Sequence, residues 1–203
     1  FSKLLTEKEK PFFFIQHCEL CELLINHGVP WHLFHGNLHG RAIYSRTFVY
    51  ESEQGTRQFL VFEGAGSYLT VRLNDREICT RRPAGRLVVT VEATGAIREG
   101  KNDLVVICDH PSDISDMPWV CGGCLKCTCE SPEPFGLFRS VRLVSTASVR
   151  IAPFGTHVWS NAGCDAVYVE TEIDAGTADI SRLSVRARCD ELNVESSVSC
   201  KTS

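Results

Sequence analysis

Short runs of alternating apolar and polar residues, one after another with little between them, constrain this chain most. Residues 43–50, 57–63 and 68–73 come in quick succession, and in the last of these Leu69, Val71 and Leu73 share one side. Successive strand side chains point to opposite faces, so such a run reads as a strand half-buried on a sheet. Asn74-Asp75 then reads as a turn. Residues 86–92 set Leu87, Val89 and Val91 against Val88, Thr90 and Glu92, apolar enough on both sides for a covered strand. Residues 103–108, 138–144 and 148–151 continue the series. About seven strands in about 110 residues predict an antiparallel β-sandwich.

The two ends read differently. Thr6 and Glu9 have the spacing of a capping box, soon interrupted by Pro11. Over 16–26, QHCELCELLIN places Cys18, Cys21 and Leu24 three residues apart with acids between, which predicts a short amphipathic helix. Asn26-His27-Gly28 and Pro30 would stop it, and a loop rich in His, aromatic and Gly residues follows. Towards the other end, Pro153-Phe154-Gly155 reads as a boundary. Beyond it, 166–173, 182–189 and 194–199 alternate again, too few strands to close a sandwich, which usually takes about 100 residues. The expected layout is therefore a helix-and-loop segment over 1–40, a sandwich over 41–151 and a partial second sandwich over 152–203. A start at Phe1, with no Met and no apolar leader after Lys3, Lys8 and Lys10, is what an excised piece would show.

Composition narrows the partners. A formal charge of -4 argues against nucleic acid, which calls for a concentrated basic face. No apolar run approaches the roughly 18 residues of a membrane span. The 11 cysteines are many but odd in number, whereas a disulfide framework prefers an even count. Cys79, Cys108 and Cys189 sit singly in strand patterns, where the thiol behaves as a small apolar group. The compartment stays open, a periplasmic or secreted one being favoured over the cytoplasm, and so does the oligomeric state.

The densest chemistry lies between the fifth and sixth of these strands, where four cysteines, Cys121, Cys124, Cys127 and Cys129, fall within nine positions. They are the right ligands for a tetrahedral structural zinc, and Gly122-Gly123 would let the backbone curl around an ion. Their spacing is tighter than two separated CxxC knuckles, so local disulfides and free thiols explain them as well. Cys18 and Cys21 fit the buried stripe of a helix better than a redox pair. Five of the seven histidines lie between 17 and 39, and His32, His35 and His39 share a loop. No carboxylate is placed nearby to orient their rings, so hydrogen bonding is favoured over metal ligation. Trp31, Trp119 and Trp159 suit both sugar stacking and core anchoring. Asp116 suits sugar hydroxyls or a turn. Glycoside hydrolysis needs two facing carboxylates, and no such pair is identifiable.

Several pieces, taken in order, resemble the first domain of glycoside hydrolase family two, the β-galactosidase and β-glucuronidase group. Tyr44-Ser45-Arg46-Thr47-Phe48 resembles the family's opening strand. Phe62-Glu63-Gly64-Ala65-Gly66 with Val71-Arg72-Leu73-Asn74-Asp75 resembles its F-x-G-V … V-x-L-N-G segment. Gly100-Lys101-Asn102-Asp103-Leu104-Val105-Val106 is similar to its G-x-N-x-L-x-V strand, and Gly136-Leu137-Phe138-Arg139-Ser140-Val141 to its G-I-[WF]-R-x-V signature. The resemblance implies a galactose-binding-type jelly roll over about 40–150 and an immunoglobulin-like sandwich from near 152. It further implies a downstream barrel of the same polypeptide, which holds both catalytic glutamates, so this stretch is expected to be inert alone and to need no certain cofactor.

In β-galactosidases of that family the first domain lends side chains to the sugar pocket. Asp116-Met117-Pro118-Trp119 resembles its Asp-Met-Trp stretch with Pro118 inserted, and Asn37-Leu38-His39-Gly40 its Asn-x-x-Gly loop. The resemblance therefore implies that Asp116 and Asn37 contact a terminal β-linked sugar, with Trp119 and His39 as neighbours. The cysteine-rich piece and residues 1–30 have no counterpart in the family pattern. A zinc-stabilised interaction module and a free-standing carbohydrate-binding domain remain the competing readings.

Overall fold

The computed structural model describes residues 8–12 (backbone only), 40–85, 87–111, 116, 136–191 and 193–201. Their regular structure is almost entirely β. The described residues divide into two compact units, one within Glu7–Ser145 and the other within Thr146–Ser203.

In the first unit, β1 (Lys8–Phe12), β8 (Val141–Ala147), β3 (Thr56–Phe62) and β6 (Val89–Glu92) form one four-stranded sheet in the order β1-β8-β3-β6. The other sheet runs β2-β7-β4-β5, from β2 (Gly40–Tyr50), β7 (Gly100–His110), β4 (Ala65–Leu73) and β5 (Arg76–Gly85). Every recorded pairing is antiparallel. The expected alternation is realised in burial: Asn102, Leu104, Val106, Cys108 and His110 of β7 point inward while Lys101 and Asp103 face water. Leu60, Phe62, Val89, Val91, Val141 and Leu143 from one sheet share a core with Ala42, Tyr44, Leu69, Val71, Leu73, Leu104 and Val106 from the other. Two sheets closed over one core make a β-sandwich.

Differences from the sequence expectation have physical causes. Residues 8–12 form a strand rather than the start of a capped helix, because they pair with β8 from Lys8↔Ser145 to Phe12↔Val141. Pro11 is tolerated since β1 is an edge strand. β5 was not foreseen: it too is an edge, so its REICTRRPAG sequence is mostly exposed and lacks an alternating apolar face. Strand 86–92 shortens to β6, and the helix expected over 16–26 lies outside the described residues. Asn74 (φ 52) and Asp75 (φ 66) form a two-residue turn between the paired Leu73 and Arg76, the left-handed geometry that suits the strand twist of a hairpin.

The second unit contains two hairpins. β9 (Arg150–Ser160) pairs with β10 (Val167–Asp174), and β11 (Ser184–Cys189) with β12 (Val194–Ser199). A 3-10 turn at Ile180–Arg182 is capped by Asp179, whose carboxylate accepts from the Ser181 N–H. Pro153-Phe154-Gly155, expected as a boundary, lies inside β9. Ile151 pairs with Ile173 and Thr156 with Thr171, so β9 bulges outward over these residues, with Phe154 at φ 60. A bulge is where a strand can hold a proline. Among the described residues of this unit only Thr146 is buried.

Candidate functional site

The pieces that carried the resemblance meet in space. The 136–140 segment lies along the start of β4 and the residues before it. Gly66 N–H donates to the Gly136 carbonyl at 2.7 Å, Phe138 N–H to Gly64 at 3.3 Å, and Glu63 N–H to Ser140 at 3.1 Å. The Tyr44 hydroxyl accepts from the Leu137 N–H at 3.0 Å, which ties β2 to the same segment. Two glycines are required. A Cβ on Gly64 would lie 2.7 Å from the Phe138 ring, and one on Gly136 (φ 74) would run into the Tyr44 hydroxyl.

The other two pieces meet at the opposite end of β4. Asn74 donates through Nδ2 to Asn102 Oδ1 at 2.7 Å and to the Ala96 carbonyl at 2.9 Å, while its Oδ1 accepts from the Asp103 N–H. Asn102, fully buried, donates to the Arg98 and Gly100 carbonyls and accepts from the Arg98 N–H. A buried amide is tolerable only when its groups are satisfied in this way. These asparagines hold turns together.

The candidate site is at the end of the β2-β7-β4-β5 sheet where β2 begins and β7 ends, beside the described sequence-predicted residue Asp116. Arg41, Asp109, Tyr68 and Pro83 lie side by side across the four strands. The Asp109 carboxylate is 3.8 Å from Arg41 and 4.0 Å from Arg81, both exposed, so these ion pairs contribute little to stability. Arg81 lies over the Tyr68 ring, 4.1 Å from its centroid. The Tyr68 hydroxyl donates to the backbone carbonyl of Asp116 at 2.7 Å, which places the exposed Asp116 above this sheet end. Beneath it, Ser67 Oγ and His110 Nδ1 are 2.7 Å apart and both buried. With the pair 0% and 2% exposed, a substrate has no access to it as a nucleophile and base.

Asp116 is the only sequence-predicted site residue among the described residues. Asn37, His39, Trp119 and the cysteines Cys121, Cys124, Cys127 and Cys129 lie outside them. Among the described residues no three His, Cys, Asp or Glu side chains are grouped to hold a metal. Of the described cysteines, Cys108 is buried and its thiol is pushed up to about 12, chiefly by desolvation, so it is inert packing. Cys79 is raised by the same cause to a smaller degree. Sequence reasoning missed Tyr68 and Arg81. Gly66 was the available signal, since a glycine inside a strand pattern marks a bulge.

No protein-family model matches the chain, and no curated protein does. Solved structures do. A β-glucuronidase from Parabacteroides merdae superposes over 82% of this chain and 23% of its own, with a TM-score of 0.63 and 15% identity. A β-glycosidase from Bacteroides vulgatus matches over 78% of this chain and 19% of its own, TM-score 0.54, identity 23%. A glycosyl hydrolase family 2 member from Bacteroides cellulosilyticus matches over 81% and 22%, TM-score 0.53, identity 16%. The shared feature is the β-sandwich. At these identities the likeness is one of fold, and the chain spans only 19–23% of the length of these three glycosidases.

Proposed function

We propose that this chain is the non-catalytic, sugar-binding portion of a retaining exo-glycosidase of the β-galactosidase kind. Its jelly-roll sandwich, over about 41–151, shapes the rim of the sugar pocket, and 152–203 belongs to an immunoglobulin-like sandwich. Asp116 and Asn37 accept and donate hydrogen bonds at the hydroxyls of a terminal β-linked sugar, with Trp119 and His39 beside them. The catalytic carboxylates belong to a barrel elsewhere in the polypeptide, where one acts as nucleophile and the other as acid/base. The observation that supports this reading is the position of Asp116, exposed and held by Tyr68 at a sheet end whose strands and return segment carry the family-like signatures. An exposed carboxylate that accepts up to four hydrogen bonds suits a ring of sugar hydroxyls.

The test is a ligand-observed NMR titration of the 203-residue chain with methyl β-D-galactopyranoside and with methyl β-D-glucuronide. Weak, saturable binding that disappears in Asp116→Asn is expected. No saturable binding, or binding indifferent to Asp116→Asn, would remove the sugar role. Metal analysis separates the competing zinc-stabilised module: near-stoichiometric zinc whose chelation unfolds the protein would favour that module over a pocket rim.

A further inference from the structure

The β4–β5 ladder shifts register at three places, and the one that adds a residue to β4 lies where the candidate site begins. Ala65 pairs with Gly85 and Tyr68 with Pro83, so Gly66 and Ser67 stand opposite Ala84 alone. One extra residue in a strand is a β-bulge, which re-aims the side chains around it. Ser67, at φ 28, is turned into the core against His110, whereas Tyr68 is turned out to Asp116. Strand alternation puts Ser67 on the same inward side as Leu69, Val71 and Leu73, and Tyr68 on the other. The bulge shifts the pairing with β5 but keeps this alternation, so Tyr68 stands outward between the buried Ser67 and Leu69.

Tyr68 is in turn held from β5. The Arg81 guanidinium covers its ring at 4.1 Å, in the range of a cation–π contact. Arg81 is itself fixed at both ends, because its N–H donates to Thr70 Oγ1 at 3.0 Å and its Nε faces the Asp109 carboxylate at 4.0 Å. A hydroxyl on a clamped ring donates in one direction, so the Asp116 carbonyl is held at one point above the sheet.

We propose that Tyr68, clamped by Arg81, is the positioning residue that sets the backbone at Asp116 and so aims its carboxylate at the sugar. This rests on the sugar-contact reading of Asp116. Tyr68 acts through Asp116 and need not touch the ligand. Its contribution is preorganisation: a carboxylate already aimed loses less freedom when the sugar arrives.

The experiment combines hydrogen exchange with the same NMR titration on the 203-residue chain and its variants Tyr68→Phe, Arg81→Gln and Asp116→Asn. Tyr68→Phe keeps the ring and its cation contact and removes only the donor. It should speed exchange in the peptide containing Asp116 several-fold, leave the remainder of β4 and β7 unchanged, and weaken methyl β-galactoside binding roughly fivefold, the worth of about one hydrogen bond. Arg81→Gln should show a smaller effect of the same kind. Adding Tyr68→Phe to Asp116→Asn should weaken binding no further than Asp116→Asn alone. Unchanged exchange in Tyr68→Phe would overturn the tether. Binding that is lost in Asp116→Asn but kept in Tyr68→Phe would overturn the positioning role and leave the sugar reading standing. Binding indifferent to Asp116→Asn removes the sugar reading, and the positioning role falls with it.

Discussion

The strands of Glu7–Ser145 and those of Thr146–Ser203 are written in the same alternating pattern, yet only the first set buries it. In the sandwich, Leu69, Val71 and Leu73 are wholly inaccessible because a second sheet lies over them. In the hairpin unit Val158, Val167, Val169, Val194 and Val198 all stay between 44% and 63% exposed. Both regions have good strand pairing, so pairing is not what separates them. Alternation is enough to form a ladder, while burial needs a facing surface, and a two-stranded ribbon is marginal without one. The same contrast governs the turns. Asn102 is a buried amide with its groups satisfied, whereas Asn161 makes similar contacts with Asp165 and Ala166 in the β9–β10 loop near the surface.

Truncation should reveal the contrast most strongly. Phe62→Ala is expected to cost about 3–5 kcal/mol in urea unfolding, from lost transfer energy plus a cavity. Val198→Ala, in the exposed ribbon, should stay within about 0.5 kcal/mol. Similar costs at both sites would mean that the ribbon is covered in solution. Next in size is Asn102→Ala, expected to cost about 2–3 kcal/mol because it strands the Arg98 and Gly100 carbonyls and the Asn74 amide, against under about 1 kcal/mol for Asn161→Ala. Equal losses would show that the Asn102 network is not tighter than an ordinary loop.

Alkali sharpens the comparison further. The Cys108 thiol ionises near its ordinary value of 9.0 when unfolded but only at about 12 when folded, where burial disfavours the thiolate. Between those values the unfolded state binds fewer protons, so this contribution is fully present below pH 9 and falls as pH rises towards 12. Unfolding free energies at pH 8 and 10.5 should drop about 1–2 kcal/mol more for the unaltered chain than for Cys108→Ala. The same drop in both would show that Cys108 is not sealed in the core. The smallest perturbation is chemical: iodoacetamide at pH 8 should modify the exposed Cys164 promptly and Cys108 only on unfolding, read by peptide mass. Prompt modification of Cys108 would contradict the closed core.

Legibility follows the range of the interaction. Alternation announced β4, β7 and β11, where successive residues do alternate between a more and a less buried side. It failed at β5 and β1, whose strand character comes from a neighbour rather than from their own pattern, as edge strands with charges and proline show. At the candidate site, Asp116 is proposed from a short motif. The role of Tyr68 could not be read in that way, because its link to Asp116 is a contact between residues far apart in the chain.

By itself the sequence determined the all-β class and the Asn74-Asp75 hairpin turn, because strand periodicity and left-handed backbone are properties of local residue type. It also carried the ordered signatures that single out Asp116. Tertiary structure alone decided which signatures build the frame and which reach the surface. It paired Asn74 with Asn102, set Gly136 against Tyr44, and brought Tyr68 and Arg81 under Asp116. Those contacts join residues far apart in the chain, and no local pattern encodes the register that makes them neighbours.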